Sequence, residues 1–330
     1  MKAVRVLEPG GPEKLLLLDV ERPEPGAGEI AIDIHASSLN RADLLQRRGS
    51  YPPPPGVTDI LGMECAGEVA ALGPGCVGTH ELGARVMALL GGGGYAERVV
   101  VPEAMAMKIP DALGFEQAAA IPEAFLTARE ALVVAGRTQP SESVLIHAAA
   151  GGVGSAAVQL ARELGAHVFA TAGSAEKCAF VRKLGADRVI DYKSEDFAAV
   201  IAGETDGRGV DVILDFVGAA YAEKHAACLA PLGRHVMIGV LSGAKSSLNL
   251  GRLLAKRQTI TGFTMRSRSN SEKIELTRAF VRTTLPLFES GRLKPLVDSV
   301  FSLSDVRKAH ERMEANENLG KIVLRVRPPS

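Results

Sequence analysis

Hydrophobic and polar positions are arranged differently in the first third of the chain and in the remainder. Glu29-Ile-Ala-Ile-Asp-Ile-His-Ala36 has the two-residue period of a half-buried strand, and Met63–Leu72, Ala84–Leu90 and Ala96–Val101 read similarly. Many short strands punctuated by Gly and Pro predict a barrel-like antiparallel domain. From about Ala118 helical stretches alternate with apolar runs at Val144–Ala148, Val168–Thr171, Val189–Asp191, Val212–Asp215 and His235–Gly239. That order predicts an α/β fold with a doubly wound parallel sheet. Leu276–Glu289 predicts a further helix, and Gly320-Lys-Ile-Val-Leu-Arg-Val326 a closing strand that returns to the first domain. No repeat or low-complexity linker interrupts the pattern apart from Pro52–Pro55 and Gly91–Gly94.

The join between the strand-like Val144–Ile146 and the amphipathic run Ser155–Leu164 reads Ala148-x-x-Gly151-x-x-Gly154. A strand, a tight glycine turn and a helix form the context of a dinucleotide fingerprint. Glycines admit a pyrophosphate close to the backbone, and the helix start turns free N–H groups toward its charge. The turn region Ala150, Gly151, Gly152 and Val153 is therefore a candidate pyrophosphate site. The first fingerprint position holds Ala148 instead of Gly, and an ordinary strand–helix turn is the alternative. After the next strand, His167–Ala172, an NAD site would place an acid about 20 residues past the glycines to bond the ribose hydroxyls. This chain has Gly173 and Ser174 there, then Ala175, Glu176 and Lys177. With no carboxylate to repel a 2′-phosphate, NADP(H) is the preferred cofactor. Ser174 reads as the N-cap of the following helix. A cation at Lys177, in that helix's first turn, opposes the helix dipole unless an anion binds nearby; a solvated surface lysine is the alternative. Tyr192, after Arg188–Asp191, is a candidate for the adenosine side or an ordinary edge tyrosine. Phe216–Val217, Gly239-Val240-Leu241, and Phe263 with Met265 end further strand-like segments, where open α/β sheets place ligands.

Composition narrows the choice of function. At 330 residues with 46% hydrophobic content, the chain can hold two domains with separate cores. Its 38 basic residues balance its 38 acidic ones, so nucleic acid gains no electrostatic support. The N-terminal segment reads as a strand with no apolar signal, and no run of about 18 apolar residues predicts a membrane span. The four cysteines show no C-x-x-C pairing and read as free thiols of a cytoplasmic protein.

Several motifs together resemble a known family. They are Ser38-Leu-Asn-Arg-Ala-Asp43, Arg48-Gly-Ser-Tyr-Pro-Pro-Pro-Pro-Gly56, Gly62-Met-Glu-x-x-Gly67, Ala118-Ala-Ala-Ile-Pro-Glu-Ala124, His147–Gly154, Thr171–Lys177 and Ala315–Val323. The chain resembles, over essentially its whole length, the zinc-free medium-chain dehydrogenase/reductases of the NADPH:quinone oxidoreductase, zeta-crystallin-like branch, and most nearly their tumour-suppressor-inducible members. The resemblance implies a GroES-like β-rich catalytic domain over 1–122 and 267–330 and a Rossmann NADPH-binding domain over 123–266. It also implies a homodimer, with Ile260–Phe263 pairing across its axis. Zinc-bearing relatives have Gly-His-Glu where this chain has Gly62-Met63-Glu64, and a ligand cysteine near Ser37 or Ser38. Glu64 and Cys65 alone do not build a three-ligand catalytic site, so no metal is expected.

The resemblance places Asn40 and Tyr51 beside the substrate. Asn40 would donate through its amide, and Tyr51 would stack on a flat acceptor or donate its hydroxyl. On position alone, Asn40 also suits a cap before the 41–48 helix, and Tyr51 suits packing over the proline run. Asn318 matches the family position that reaches the cofactor, with a surface turn as alternative. Glu64 reads as a buried structural carboxylate and His147 as a packed neutral histidine. The expected reaction is NADPH-dependent reduction of a quinone or reactive enone. It needs no Lewis acid, because the anion formed resembles a phenolate with a pKa of about 10. An enoyl-thioester or 2-alkenal reductase is the second enzyme reading. A non-catalytic NADPH-binding module is the third.

Overall fold

The computed structural model describes residues 1–327, which divide into two units. One comprises Met1–Leu126 together with the chain from Met265 onward, and the other is Thr127–Thr264. The sequence reading draws these boundaries at 122/123 and 266/267. Glu123 and Met265 both lie in the first unit.

In the first unit β1 (Lys2–Val6) and β2 (Leu15–Asp19) form a hairpin. The larger sheet uses β3 (Glu29–Ser38), β4 (Glu64–Leu72), β5 (Arg85–Leu89), β6 (Arg98–Pro102) and β7 (Ala106–Lys108). Strand β3 is its spine. Ile30, Ile32 and Ile34 alternate into one apolar cluster with Val69, Val86 and Val99. The strand then ends in two buried hydroxyl residues, Ser37 and Ser38.

The second unit contains β8 (Ser143–Ile146), β9 (His167–Ala172), β10 (Arg188–Asp191), β11 (Val210–Asp215), β12 (Leu229–Met237) and β13 (Thr259–Gly262). All pairs are parallel, in the order β10-β9-β8-β11-β12-β13. Chain order reverses between β8 and β11. That switch point is where doubly wound sheets open a ligand crevice at the strands' carboxyl ends. Leu145, Phe169, Ile190 and Ile213 fill one face of this sheet.

The chain then returns to the first unit with β14 (Val297–Ser302) and β15 (Lys321–Arg325). Strand β15 pairs antiparallel with the end of β3, Val323 opposite Ser38 and Leu324 opposite Ser37. The expected helix over Leu276–Glu289 is two helices, Asn270–Thr283 and Leu285–Glu289. Pro286 explains the break: it has no N–H, and its ring would meet the carbonyl four residues earlier. No described helix is long and apolar enough to cross a membrane.

The turn after β8 has a specific stereochemistry. Ala148 sits at φ 48°, a left-handed conformation that costs an alanine roughly 1–2 kcal/mol. A Cβ on Gly154 would lie 2.4 Å from the Ala148 carbonyl oxygen, so that helix position must be glycine. Ala148→Gly is therefore expected to be neutral or to stabilise by up to about 1 kcal/mol. Gly154→Ala should destabilise by about 1–3 kcal/mol. Urea unfolding of the two variants checks both signs.

Candidate active site

At the switch point, Gly151 caps the helix Gly152–Glu163. The first-turn N–H groups of Gly152, Val153 and Gly154 have no intrahelical acceptor, and the preceding Ala150 is buried. At the ends of β9 and β10, Gly173 lies against the Tyr192 ring; a Cβ there would sit 2.4 Å from the phenolic oxygen. Ser174 caps the helix Ala175–Lys183, its Oγ accepting from the Lys177 N–H at 3.2 Å. Tyr192 is 45% exposed. Gly173 and Ser174 thus lie between Tyr192 and the first turn that contains Lys177, and no Asp or Glu ends β9.

The turns after β11 and β12 are laced together. Asp215 Oδ1 accepts from the N–H groups of Val217 and Gly218 at 2.7 and 3.0 Å. The N–H groups of Leu241 and Ser242 donate to the carbonyls of Phe216 and Val217. Gly239 donates to the Asp215 carbonyl, and Val240 and Leu241 stay exposed. Phe263 follows β13, its N–H donating to Met237 O. Thus Phe216, Val217, Gly239, Val240, Leu241 and Phe263 cluster around the strand ends of the second unit. Met265 is buried in the first unit. Asn318, also in the first unit, is buried and donates its amide to Gly320 O at 2.8 Å.

In the first unit, Asn40 occupies the N-cap position of the helix Arg41–Arg47, yet its side chain does not cap it. Capping falls to Asp43, whose carboxylate accepts from the Asn40 N–H at 2.7 Å. The Asn40 amide is turned into a buried polar cluster instead. Its Nδ2 donates to Glu64 Oε1 at 2.8 Å, and its Oδ1 accepts from Lys321 Nζ at 2.7 Å. Lys321 also donates to Glu64 Oε1 and to Leu39 O, at 2.7 and 2.8 Å. Ser38 Oγ donates to Glu64 Oε1 at 2.6 Å, while the Glu123 N–H donates to Oε2 at 2.8 Å. Glu64 is fully buried and Lys321 is 4% exposed.

Tyr51 stands beside this cluster under Arg266, whose guanidinium lies 5.4 Å from its ring centre. Arg266 is buried and held by Gly91 O and Gln46 Oε1. Burial, and then the neighbouring Glu64 charge, push the Glu123 carboxyl up to about 8. Burial, followed by Glu123, also raises the Tyr51 phenol. Sequence reasoning did not single out Lys321, Glu123 or Arg266 as site residues. Lys321 left a visible sign, a lone cation opening an apolar strand, and Glu123 stands in the Ile-Pro-Glu motif.

A doubly wound nucleotide-type unit joined to a β-rich unit containing Asn40 and Tyr51 defines a two-unit dehydrogenase/reductase architecture. Residues 26–111 match the family model of the alcohol dehydrogenase GroES-like domain, and 152–281 that of zinc-binding dehydrogenases. The quinone oxidoreductase of Pseudomonas aeruginosa is 36% identical over 98% of this chain and 99% of its own length. The human synaptic vesicle membrane protein VAT-1 homolog is 36% identical over 92% of this chain and 80% of its own. The structure of Escherichia coli quinone oxidoreductase complexed with NADPH superposes with a TM-score of 0.89 at 33% identity, covering 99% and 100% of the two chains. The chain belongs to the medium-chain dehydrogenase/reductase family of oxidoreductases, among relatives that include zeta-crystallin-like quinone oxidoreductases.

The zinc in the name of one family model does not fit the donors around Glu64. Ser37 and Ser38 spend their hydroxyls on Glu64, and Met63 offers only a thioether. Burial, and then the Glu64 charge, push the Cys65 thiol up, away from the thiolate that would ligate. Lys321 already neutralises the carboxylate. Removing that cation by Lys321→Met should therefore cost about 3–5 kcal/mol. The double variant with Glu64→Gln should recover part of the loss, which a double-mutant cycle in urea would measure.

Proposed function

We propose that this protein is an NADPH-dependent, zinc-independent reductase of quinones and related electrophilic carbonyls. The observation that carries this reading is the end of β9, where Ser174 and Lys177 open a helix, Tyr192 lies against the adjoining Gly173, and the strand ends without an Asp or Glu. The turn Ala150–Val153 suits the pyrophosphate, and the laced turns at Phe216–Val217 and Gly239–Leu241, with Phe263, suit the nicotinamide. Met265 and Asn318 are carried as first-unit cofactor contacts on resemblance alone. Bound NADPH supplies the hydride. Quinone, NADPH and one proton become hydroquinone and NADP⁺.

The chain's own task is to orient the acceptor and deliver that proton. Lys321 and Glu64 fix the Asn40 amide so that one N–H is spent on Glu64 and the other remains for an acceptor oxygen. Tyr51, braced by Arg266, supplies a flat face for a ring. Glu123 holds its proton near neutral pH and suits the role of proton donor. That donor also favours a second reading, reduction of α,β-unsaturated carbonyls, whose enolate product must be protonated on carbon. Strand β13 ends the six-stranded sheet, an edge that supports pairing with a second copy in a homodimer. The four free thiols suit a cytoplasmic protein.

NADPH oxidation with phenanthrenequinone tests the assignment directly. NADPH should bind tightly, NADH weakly, and quinone should accelerate turnover; NADPH binding with no acceptor activity would leave only a binding module. Lys177→Ala should weaken NADPH about tenfold, on the order of 1.4 kcal/mol, and leave NADH unchanged. Asn40→Ala and Tyr51→Phe should each lower turnover modestly, since neither is a strong acid. With an enone acceptor, the wild-type rate should fall as pH rises through about 8, because the deprotonated Glu123 no longer donates. Glu123→Gln should lose that alkaline limb.

A further inference from the structure

The second unit holds a chain of buried polar side chains that the reductase reading does not use. Asp215 ends β11, His235 lies on β12 two positions before Met237, and His225 lies on the helix Ala222–Cys228. All three are buried, His225 completely. Asp215 Oδ2 is 2.9 Å from His235 Nε2 and 3.3 Å from His225 Nδ1. One ligand atom from each residue falls within 4.8 Å of the others. Among the described residues no other trio of His, Cys, Asp or Glu is gathered in this way.

We infer that Asp215, His225 and His235 form a binding site for one divalent transition-metal ion, of the zinc, cobalt or nickel type. The His225 Nδ1 is the telling atom. It is wholly enclosed and lies 3.3 Å from the carboxylate, without forming a well-aligned hydrogen bond to it. A buried ring nitrogen paired only this loosely is costly, and a metal ion between it and Oδ2 would satisfy both. Ligand atoms around a tetrahedral ion with bonds of 2.0–2.1 Å lie about 3.3 Å apart. The distance from Oδ2 to His225 Nδ1, 3.3 Å, equals that value, and the 2.9 Å to His235 Nε2 is somewhat shorter, so the ligand atoms would spread slightly around an ion. Two imidazoles and one carboxylate suit a borderline ion better than magnesium or calcium, which take oxygen.

The surroundings are those of an oriented metal site. Asp215 Oδ1 is anchored by the Val217 and Gly218 N–H groups, which leaves Oδ2 to face the imidazoles. His225 Nε2 lies 2.8 Å from His147 Nε2, and His147 Nδ1 lies 2.9 Å from Thr171 Oγ1. A relay from the ligating ring through a second histidine to a hydroxyl fixes the ring and its tautomer. A cavity of about 220 Å³ lined by Asp215, His235, Met237, Leu253 and Ile260 supplies an entry path and room for a water as fourth ligand. The ion would tie the helix Ala222–Cys228 to β11 and β12, directly behind the Asp215–Gly218 turn.

The test uses tag-free full-length protein, stripped with chelator and titrated with Zn²⁺ by calorimetry and with Co²⁺ by visible absorption. One ion per chain is expected, with a rise in Tm on adding Zn²⁺. His235→Gln keeps a donor toward Asp215, so it should fold while losing the stoichiometric ion and the Tm rise. Thr171→Val should weaken Zn²⁺ about 10–100-fold. Equal binding by wild type and His235→Gln, or no stoichiometric binding by wild type, would overturn the site. If His235→Gln does not fold, X-ray absorption of the zinc-loaded wild type decides. Two imidazoles with oxygen and no sulfur support the assignment, and sulfur or fewer imidazoles refute it.

Discussion

Withdrawing a lysine and a glutamate from water together is tolerable only where their protons and lone pairs all find partners. The Glu64–Lys321 pair meets that condition. All three ammonium protons are placed, on Leu39 O, Asn40 Oδ1 and Glu64 Oε1. Both carboxylate oxygens accept, from Ser38, Asn40, Lys321 and the Glu123 N–H. The pair therefore joins the end of β3, the start of β4 and the returning β15 through one set of contacts. It also sets the direction of the Asn40 amide and the charge felt by Glu123. A change at either member reaches the orientation and proton affinity of the proposed acceptor side as well as the stability of the unit.

The second unit depends on backbone geometry to a comparable degree. Its fingerprint turn has an alanine in a left-handed conformation and a glycine whose missing side chain lets the helix start meet the preceding strand. The turns after β11 and β12 are held by main-chain hydrogen bonds and by a single carboxylate oxygen of Asp215. A surface made largely of main chain tolerates varied side chains provided the backbone path is kept. The buried histidines behind it, by contrast, form a specific side-chain arrangement.

Local physics was legible along the chain. Two-residue alternation marked β3 to β6, and the strand–glycine–helix order marked β8 and its turn. Ser174 was readable as a cap because a cap is decided by its immediate neighbours. The break at Thr284 was missed although Pro286 was in plain view, since helical periodicity on both sides outweighed one residue. At the candidate site, Asn40 and Tyr51 came from motif resemblance, not from periodicity. The role of the Asn40 side chain could not be read, because the N-cap position and the Lys321 contact compete for the same amide.

The sequence by itself determined the class of each unit, the strand–glycine–helix turn after β8 and the missing acid after β9, because each depends on residues a few positions apart. Tertiary structure alone decided the pairing of Glu64 with Lys321, which are 257 positions apart. It likewise brought Asp215, His225 and His235 together from β11, a helix and β12. Charges and ligands of this kind are defined by strand register and burial, and their partners lie beyond the reach of any local pattern.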